Sequence, residues 1–205
     1  MDKHYIFDID NTVIATEKAM IKSLQYVMKH FANRDYSEAD LAFIAPFSAE
    51  ETLNRLGYPA REDLVQHWID HVDMFSSHIY FFEGMVQILN QLQQKGIRLG
   101  VITSRRRDGL EKEPLWQKIK HLFDVVICAE DSREHKPSPE PMLAYLKGSN
   151  ATATQCVYFG DTEMDMIAAE KAGFDFYLAG WGAKLNNKTR QANVLMHPKE
   201  IISIR

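Results

Sequence analysis

Between Gly84 and Ala179 the chain alternates short apolar runs, rich in branched and aromatic residues, with segments whose apolar residues recur every three or four positions. This alternation constrains the fold more than any single motif, because strands joined through helices run parallel and form a sheet covered on both faces. The strand-like runs are His4 to Asp8, Ile97 to Thr103, Asp124 to Cys128, Cys156 to Gly160 and Phe174 to Ala179. Helical patterns occupy Gly84 to Lys95, Leu110 to Leu122, Pro139 to Lys147 and Glu163 to Ala172, with Gly96 and Gly173 where helices leading into strands would end. The expected class is α/β.

The stretch from Ala15 to Ile79 breaks the rhythm, with several helix-like patterns and no convincing strand. It reads as an insertion, giving a core domain of residues 1-14 and 80-205 and a helical cap of residues 15-79. Within the cap a helix is expected from about Thr16 to Phe31, Ser37 and Ser48 are expected to cap the next two, and Arg61 to Phe75 forms a fourth. Leaving after the first strand and returning before the second would set this piece above the carboxyl ends of the strands, where open α/β sheets bind ligands.

Bulk properties exclude several classes of function. At 205 residues, 45% apolar and 25% charged, the chain can bury a substantial core and is not disordered in character. The net charge of −4 gives no reason to expect nucleic acid as a partner. Cys128 and Cys156 sit in or beside apolar runs, as buried free thiols of a reducing compartment do. There is no signal-peptide pattern at the start and no apolar run near the ~20 residues of a membrane span, so a cytoplasmic protein without a membrane partner is expected.

Four strand ends carry the chemistry. Tyr5 to Phe7 runs into Asp8, Asp10 and Thr12, two carboxylates and a hydroxyl at two-residue spacing. Strand alternation sends Asp8 and Asp10 to one side, where their repulsion calls for a divalent cation, a lysine or a shared proton. Leu99 to Ile102 ends in Thr103 and Ser104, able to bind phosphate oxygens, and Arg105, Arg106 and Arg107 follow. Of these three arginines at least two are expected on a solvated turn, leaving one for a substrate anion. Lys136 sits among prolines after the third core strand, just before a helix at Pro139. Val157 to Gly160 leads into Asp161, suited to an oxygen-binding cation, with Asp165 one helical turn later.

The start Asp8-Ile9-Asp10-Asn11-Thr12, strand-terminal Thr103, Lys136 in Lys-Pro-Ser-Pro-Glu-Pro, and Gly160-Asp161-Thr162-Glu163-Met164-Asp165 resemble, in order and spacing, the four motifs of the haloacid dehalogenase superfamily. Within it the chain is most similar to the phosphoglycolate phosphatase-like branch, which also holds pyrophosphatases, sugar phosphatases and β-phosphoglucomutase. The resemblance implies a Rossmann-like parallel sheet core with an inserted α-helical cap domain. Asn11 stands where glycine is common in that family, but asparagine tolerates left-handed backbone geometry. Ala15 and Glu83 also replace frequent aspartate and proline.

What the resemblance implies is a magnesium-dependent phosphatase acting on a small phosphorylated metabolite. Asp8 would be the nucleophile, forming an aspartyl phosphate, and Asp10 the general acid and then base, its carboxyl kept protonated by neighbouring anions. Mg2+ would be held by Asp8, the backbone carbonyl of Asp10, and Asp161, with Asp165 and Thr12 in support. Thr103, Ser104 and Lys136 would bind the transferring phosphoryl group. Substrate choice would fall to the cap, with Lys18, Lys22, Pro46, Phe47, Ser48 and Arg55 as candidates, and to Arg105. A β-phosphoglucomutase-like mutase and an inorganic pyrophosphatase are alternatives, a non-catalytic phosphate-binding regulator another, and the chain would act as a monomer or homodimer.

Overall fold

The structure, a computed structural model, describes residues 3–44 and 47–204. The chain forms two compact units, Met1–Ile14 with Phe81–Arg205, and Ala15–Tyr80.

In the first unit β1 (His4–Phe7) is followed by a tight turn, after which β2 (Ile14–Ala15) leads into the second unit. That unit holds α1 (Glu17–Phe31), α2 (Ala49–Arg55) and α3 (Glu62–Asp70), and the chain leaves it through β3 (Tyr80–Phe81), which pairs with β2 in a two-stranded ribbon. The first unit resumes with α4 (Met85–Gln94), β4 (Arg98–Ile102), α5 (Arg107–Lys112), α6 (Pro114–Ile119), β5 (Val125–Ile127), α7 (Glu140–Ser149), β6 (Cys156–Gly160), α8 (Glu163–Ala172), β7 (Asp175–Ala179) and β8 (Asn193–Leu195).

The six core strands form one sheet in the order β5-β4-β1-β6-β7-β8, with every described pairing parallel. Strand alternation divides the residues between two covered faces. Ile6, Ile102, Tyr158 and Phe176 pack on one face against Met142 and Tyr145 of α7 and Ala168 and Ala169 of α8. On the other, Phe7 stacks on Phe159 at 4.9 Å between ring centres and meets the edge of Phe123, itself stacked on Trp116 of α6. Because Phe7 is in register with both Val101 and Phe159, the residues that follow β1, β4 and β6 end up side by side.

The helical unit has its own core of Leu24, Val27, Met28, Leu53, Leu64 and Trp68. Ser23 Oγ donates to the Trp68 carbonyl at 2.8 Å and the Trp68 indole donates to the Met20 carbonyl at 2.9 Å, tying α1 to α3. Among the described residues no helix is long and apolar enough to cross a membrane.

Several local expectations are corrected. The helix expected over Leu110 to Leu122 is two helices, because Pro114 has no N–H to continue α5; it opens α6 instead, with the Glu113 carboxylate accepting the Leu115 N–H at 3.1 Å. Ser37 caps no helix. Its hydroxyl and N–H both donate to Asp40 in a local turn. The pattern from Arg61 to Phe75 is α3 followed by a 3-10 turn over Val72–His78, kinked at Phe75. β8 was not anticipated, since three residues are too few to show alternation.

Candidate active site

The turn after β1 is built on one carbonyl. The N–H groups of Thr12, Val13 and Ile14 all point to the Ile9 oxygen, at 3.3, 2.9 and 2.9 Å, which reverses the chain within four residues. Such a reversal needs a left-handed residue, and Asn11 supplies it with φ 56. A second loop braces the turn. The Trp181 indole donates to the Thr12 carbonyl at 2.9 Å, and a Cβ on Gly182 would lie 1.7 Å from the Asn11 oxygen.

Asp8 lies just beyond β1, its N–H donating to the Phe159 carbonyl at 2.9 Å, and its side chain is on the α7–α8 face. There Lys136, brought in by the β5–α7 loop, donates to Asp8 Oδ1 at 3.0 Å, to Asp165 Oδ1 at 2.6 Å and to the Tyr158 hydroxyl at 3.2 Å. The three contacts use all three ammonium protons. The Lys136 and Asp8 side chains are 7% and 8% exposed, so this is a desolvated ion pair rather than a surface one. Asp165 is held hard: Oδ1 also receives the Tyr158 hydroxyl at 2.9 Å, and Oδ2 receives the Thr162 N–H at 3.1 Å and the Thr162 hydroxyl at 2.5 Å. Its oxygens take four contacts, one of them from a hydroxyl proton shared with the Ile102 carbonyl. Gly160 makes room for it, because a Cβ there would fall 2.5 Å from Asp165 Cγ.

Asp161 follows β6, buried, with the Thr12 hydroxyl donating to its Oδ1 at 3.4 Å. Asp8, Asp161 and Asp165 each offer an oxygen within 4.8 Å of the others. Three buried carboxylates face one ammonium, and the crowding shows in the acidities of Asp8 and Asp161. Burial pushes the Asp8 carboxyl up to about 7 even though Lys136 pulls it down, and burial with the Asp165 and Asp8 charges lifts Asp161 well above the carboxylate range. Burial works against the Lys136 charge too, but Asp165 and Asp8 outweigh it and hold the ammonium well above its ordinary value. A divalent cation fits this excess of negative charge, and hard oxygen donors suit Mg2+ or a similar ion.

Thr103 is buried at the end of β4. Its N–H is spent on the Ile127 carbonyl at 3.0 Å, and its hydroxyl accepts the Arg105 N–H at 3.2 Å, which leaves the hydroxyl proton to donate. Ser104 follows, exposed. The three arginines then diverge. Arg105 turns inward and forks onto Asp10, Nε to Oδ2 at 2.7 Å and Nη2 to Oδ1 at 2.6 Å. Arg106 stays at the surface near Asp108, and Arg107 ties to Asp131 and the Val126 carbonyl.

Residues 5–179 match the family of haloacid dehalogenase-like hydrolases. The chain belongs to that family. Among its relatives, Pyrophosphatase PpaX of Bacillus mycoides is 26% identical over 184 residues, spanning 87% of this chain and 84% of the relative. A crystal structure of a candidate phosphoglycolate phosphatase from Lactobacillus plantarum superimposes with a TM-score of 0.87 at 26% identity, covering 99% of each chain. CbbY from Rhodobacter sphaeroides, solved with phosphate, shares the fold with a TM-score of 0.83 at 18% identity, over 98% of this chain and 96% of that one.

For this member of the hydrolase family, Asp8 and Asp161 at strand ends meet Lys136 of the β5–α7 loop and Asp165 of α8 in one cluster, with Thr12 against Asp161. Asp10 has its own cation in Arg105. Of the residues expected to read the substrate from the helical unit, Ser48, Arg55 and Lys22 have partners within that unit. Ser48 caps α2, accepting the Glu51 N–H at 3.2 Å; Arg55 donates to Glu51 at 2.8 Å and lies 3.9 Å over the Phe47 ring; Lys22 pairs with Glu38 at 3.5 Å. Lys18 is exposed, and Pro46 lies outside the described residues.

Sequence reasoning missed Tyr158 and Glu113. Tyr158 divides its one proton between the Ile102 carbonyl at 3.0 Å and Asp165, and burial raises its pKa well above the ordinary value, so it stays a neutral donor. Its signal was available in retrospect: counting by twos from Asp8 across the paired strands puts residue 158 on the face of Lys136. Glu113 is buried with Oε2 3.6 Å from Arg105 Nη1, and only the break at Pro114 hints at it.

Proposed function

We propose that this hydrolase is a divalent-metal-dependent phosphatase, acting on a small phosphorylated metabolite through an aspartyl phosphate on Asp8. The observation that carries the reading is the desolvated Asp8 carboxylate, fixed at a strand end by Lys136, beside Asp161 and one strand away from the Thr103 hydroxyl. A carboxylate held in one geometry and stripped of water is set up as a nucleophile.

In this reading Asp10 parts from Arg105 and takes a proton from water; an Asp8 oxygen then attacks phosphorus while the bond from phosphorus to the substrate oxygen breaks, and Asp10 gives that oxygen the proton. Asp10 then takes a proton from water, whose oxygen attacks the aspartyl phosphate, releasing inorganic phosphate and restoring the Asp8 carboxylate. Lys136, Thr103 and the backbone at Ser104 hold the phosphoryl oxygens. Asp8 and Asp161, with the Asp10 carbonyl, would hold Mg2+, which when bound offsets charge on the nucleophile and the phosphate. Asp165 anchors Lys136.

Pyrophosphate and phosphoglycolate head the candidate substrates, because relatives carry those names. Selectivity beyond phosphate and cation is left to Arg105 and to the helical unit, since Asp8, Thr103, Lys136 and Asp161 read only those two groups. The test is phosphate release from a panel of small phosphate esters and pyrophosphate, with Mg2+ and with chelator. Release that needs the metal and vanishes in Asp8→Asn is expected; equal release from the variant overturns the reading. Isomerisation of a sugar phosphate that needs a bisphosphate activator and releases no phosphate would mark a mutase.

A further inference from the structure

We propose that Arg105 is a latch on Asp10, opened by a second anionic group of the substrate, so that the site favours phosphate compounds carrying another anion close to the phosphate. The inference rests on the phosphatase reading for the task it gives Asp10. It goes beyond that reading in naming what frees Asp10 to perform it.

The geometry is that of a fork. Nε and Nη2 of Arg105 reach the two Asp10 oxygens at 2.7 and 2.6 Å, so both oxygens are occupied at once. The fork takes one acceptor site on each oxygen and fixes the plane of the carboxylate, so Asp10 cannot turn an oxygen toward a leaving group until the pair parts. The Arg105 and Asp10 side chains are only 21% and 29% exposed, which makes opening toward bare solvent costly. An incoming oxyanion with the same two-oxygen face removes that cost, because the guanidinium exchanges one bidentate partner for another. A neutral group makes no such exchange.

Of the arginine's two acidic partners, Glu113 is pinned by the helix it caps, and Asp10 is the one the reaction needs elsewhere. Glu113 is 8% exposed and keeps Oε1 on the Leu115 N–H at 3.1 Å as the cap of α6, with Oε2 3.6 Å from Arg105 Nη1. The Arg105 backbone is pinned as well, its carbonyl accepting the Ala129 N–H at 2.9 Å and its N–H donating to the Thr103 hydroxyl at 3.2 Å. Glu113 and these bonds keep the guanidinium in place while Asp10, on the turn after β1, changes partner. The Thr103 contact sets Arg105 two residues from a proposed phosphate ligand. The second anion must therefore lie close to the phosphate, as in pyrophosphate or a 2-phosphorylated carboxylate.

Two readouts test this on the intact protein with wild type, Arg105→Ala and Arg105→Lys. In calorimetric titration, methylenediphosphonate should bind wild type well above methylphosphonate, and Arg105→Ala should erase about 30-fold or more of that preference. Arg105→Lys, charged but unable to fork, should recover only part of it. In turnover, the ratio of kcat/KM for phosphoglycolate over ethylene glycol monophosphate should collapse in Arg105→Ala, with KM for phosphoglycolate raised as well as kcat lowered. An equal fall for both substrates, or an undiminished preference for methylenediphosphonate in Arg105→Ala, overturns the latch. Circular dichroism confirms that each variant is folded, and Arg105→Lys decides if the alanine variant is not. A wild type that turns over no phosphate compound defeats the phosphatase reading, whereas the binding comparison still decides if Arg105 receives the second anion.

Discussion

The two units treat charge in opposite ways. In the helical unit the described ion pairs are wet: Arg55 meets Glu51 one turn away, Arg61 meets Asp63, Lys29 meets Asp35, Lys22 meets Glu38, and the interior is left to Leu24, Met28, Leu64 and Trp68. In the α/β unit, Lys136 is buried against Asp8 and Asp165, 128 and 29 positions away, and Arg105 reaches Asp10 across 95. Exposed pairs contribute little, whereas buried charges are costly to hold unless every partner is in place. The contrast teaches where to look for chemistry. A fold retains several desolvated carboxylates at one sheet edge where they serve a reaction, and the helical unit shows the same chain solving its stability problem without them.

The sharpest break in that contrast is to remove the shared cation. Lys136→Met leaves Asp8 and Asp165 facing each other, and should lower unfolding free energy at pH 8 by about 3–5 kcal/mol in urea titration without metal, as well as abolishing turnover. A loss below about 1 kcal/mol would mean the cluster is wetter than its burial shows. Next comes the packing that seats Asp165. Gly160→Ala forces a methyl into a 2.5 Å contact with the carboxylate, and should cost roughly 1–3 kcal/mol and reduce the rate through displacement of Lys136.

pH and metal sharpen the comparison further. A carboxyl whose folded-state value is lifted binds protons more tightly in the folded chain, so the folded state is favoured at low pH and loses that advantage as pH rises. For Asp8 the loss runs from about pH 4 to about 7, and the lifted Asp161 carboxyl acts in the same direction. In chelator the melting midpoint should therefore drop between pH 5.5 and 8, by roughly 2–4 °C for each kcal/mol lost. Mg2+ should restore it most at pH 8, where the carboxylates are ionised. A midpoint that rises over this range, or that Mg2+ leaves unmoved at pH 8, contradicts the charge account. The smallest effect belongs to the helical unit: Arg55→Ala should cost about 0.3–0.5 kcal/mol through its pair with Glu51, and a value matching Lys136→Met would erase the contrast.

Much of this was legible in the amino-acid order. Asp8, Thr103, Lys136 and Asp161 stand out because each follows an apolar run or a proline-bounded turn, and parallel strands bring such ends to one edge. What the order hides is side-chain destination. Three consecutive arginines look alike, and only the turn after β4, fixed by the Thr103 hydroxyl and the Ala129 N–H, decides that Arg105 goes in to Asp10 and Arg106 goes out. Tyr158 was hidden because a tyrosine in an apolar strand reads as core, and Glu113 because its role exists only once Pro114 divides the helix. In the helical unit, Ser48 reads as a helix cap and is one, whereas Arg55 reads as an anion contact from residue type alone and pairs with Glu51.

The central claim is that Asp8 carries the phosphoryl group, and rapid acid quenching tests it most directly. Wild-type protein mixed with Mg2+ and its best substrate is stopped within one turnover, digested, and weighed by mass spectrometry. The account predicts one added phosphoryl group on the peptide containing Asp8, absent in Asp8→Asn. Phosphate release with no labelled enzyme at any quench time, or a label on another residue, would contradict it.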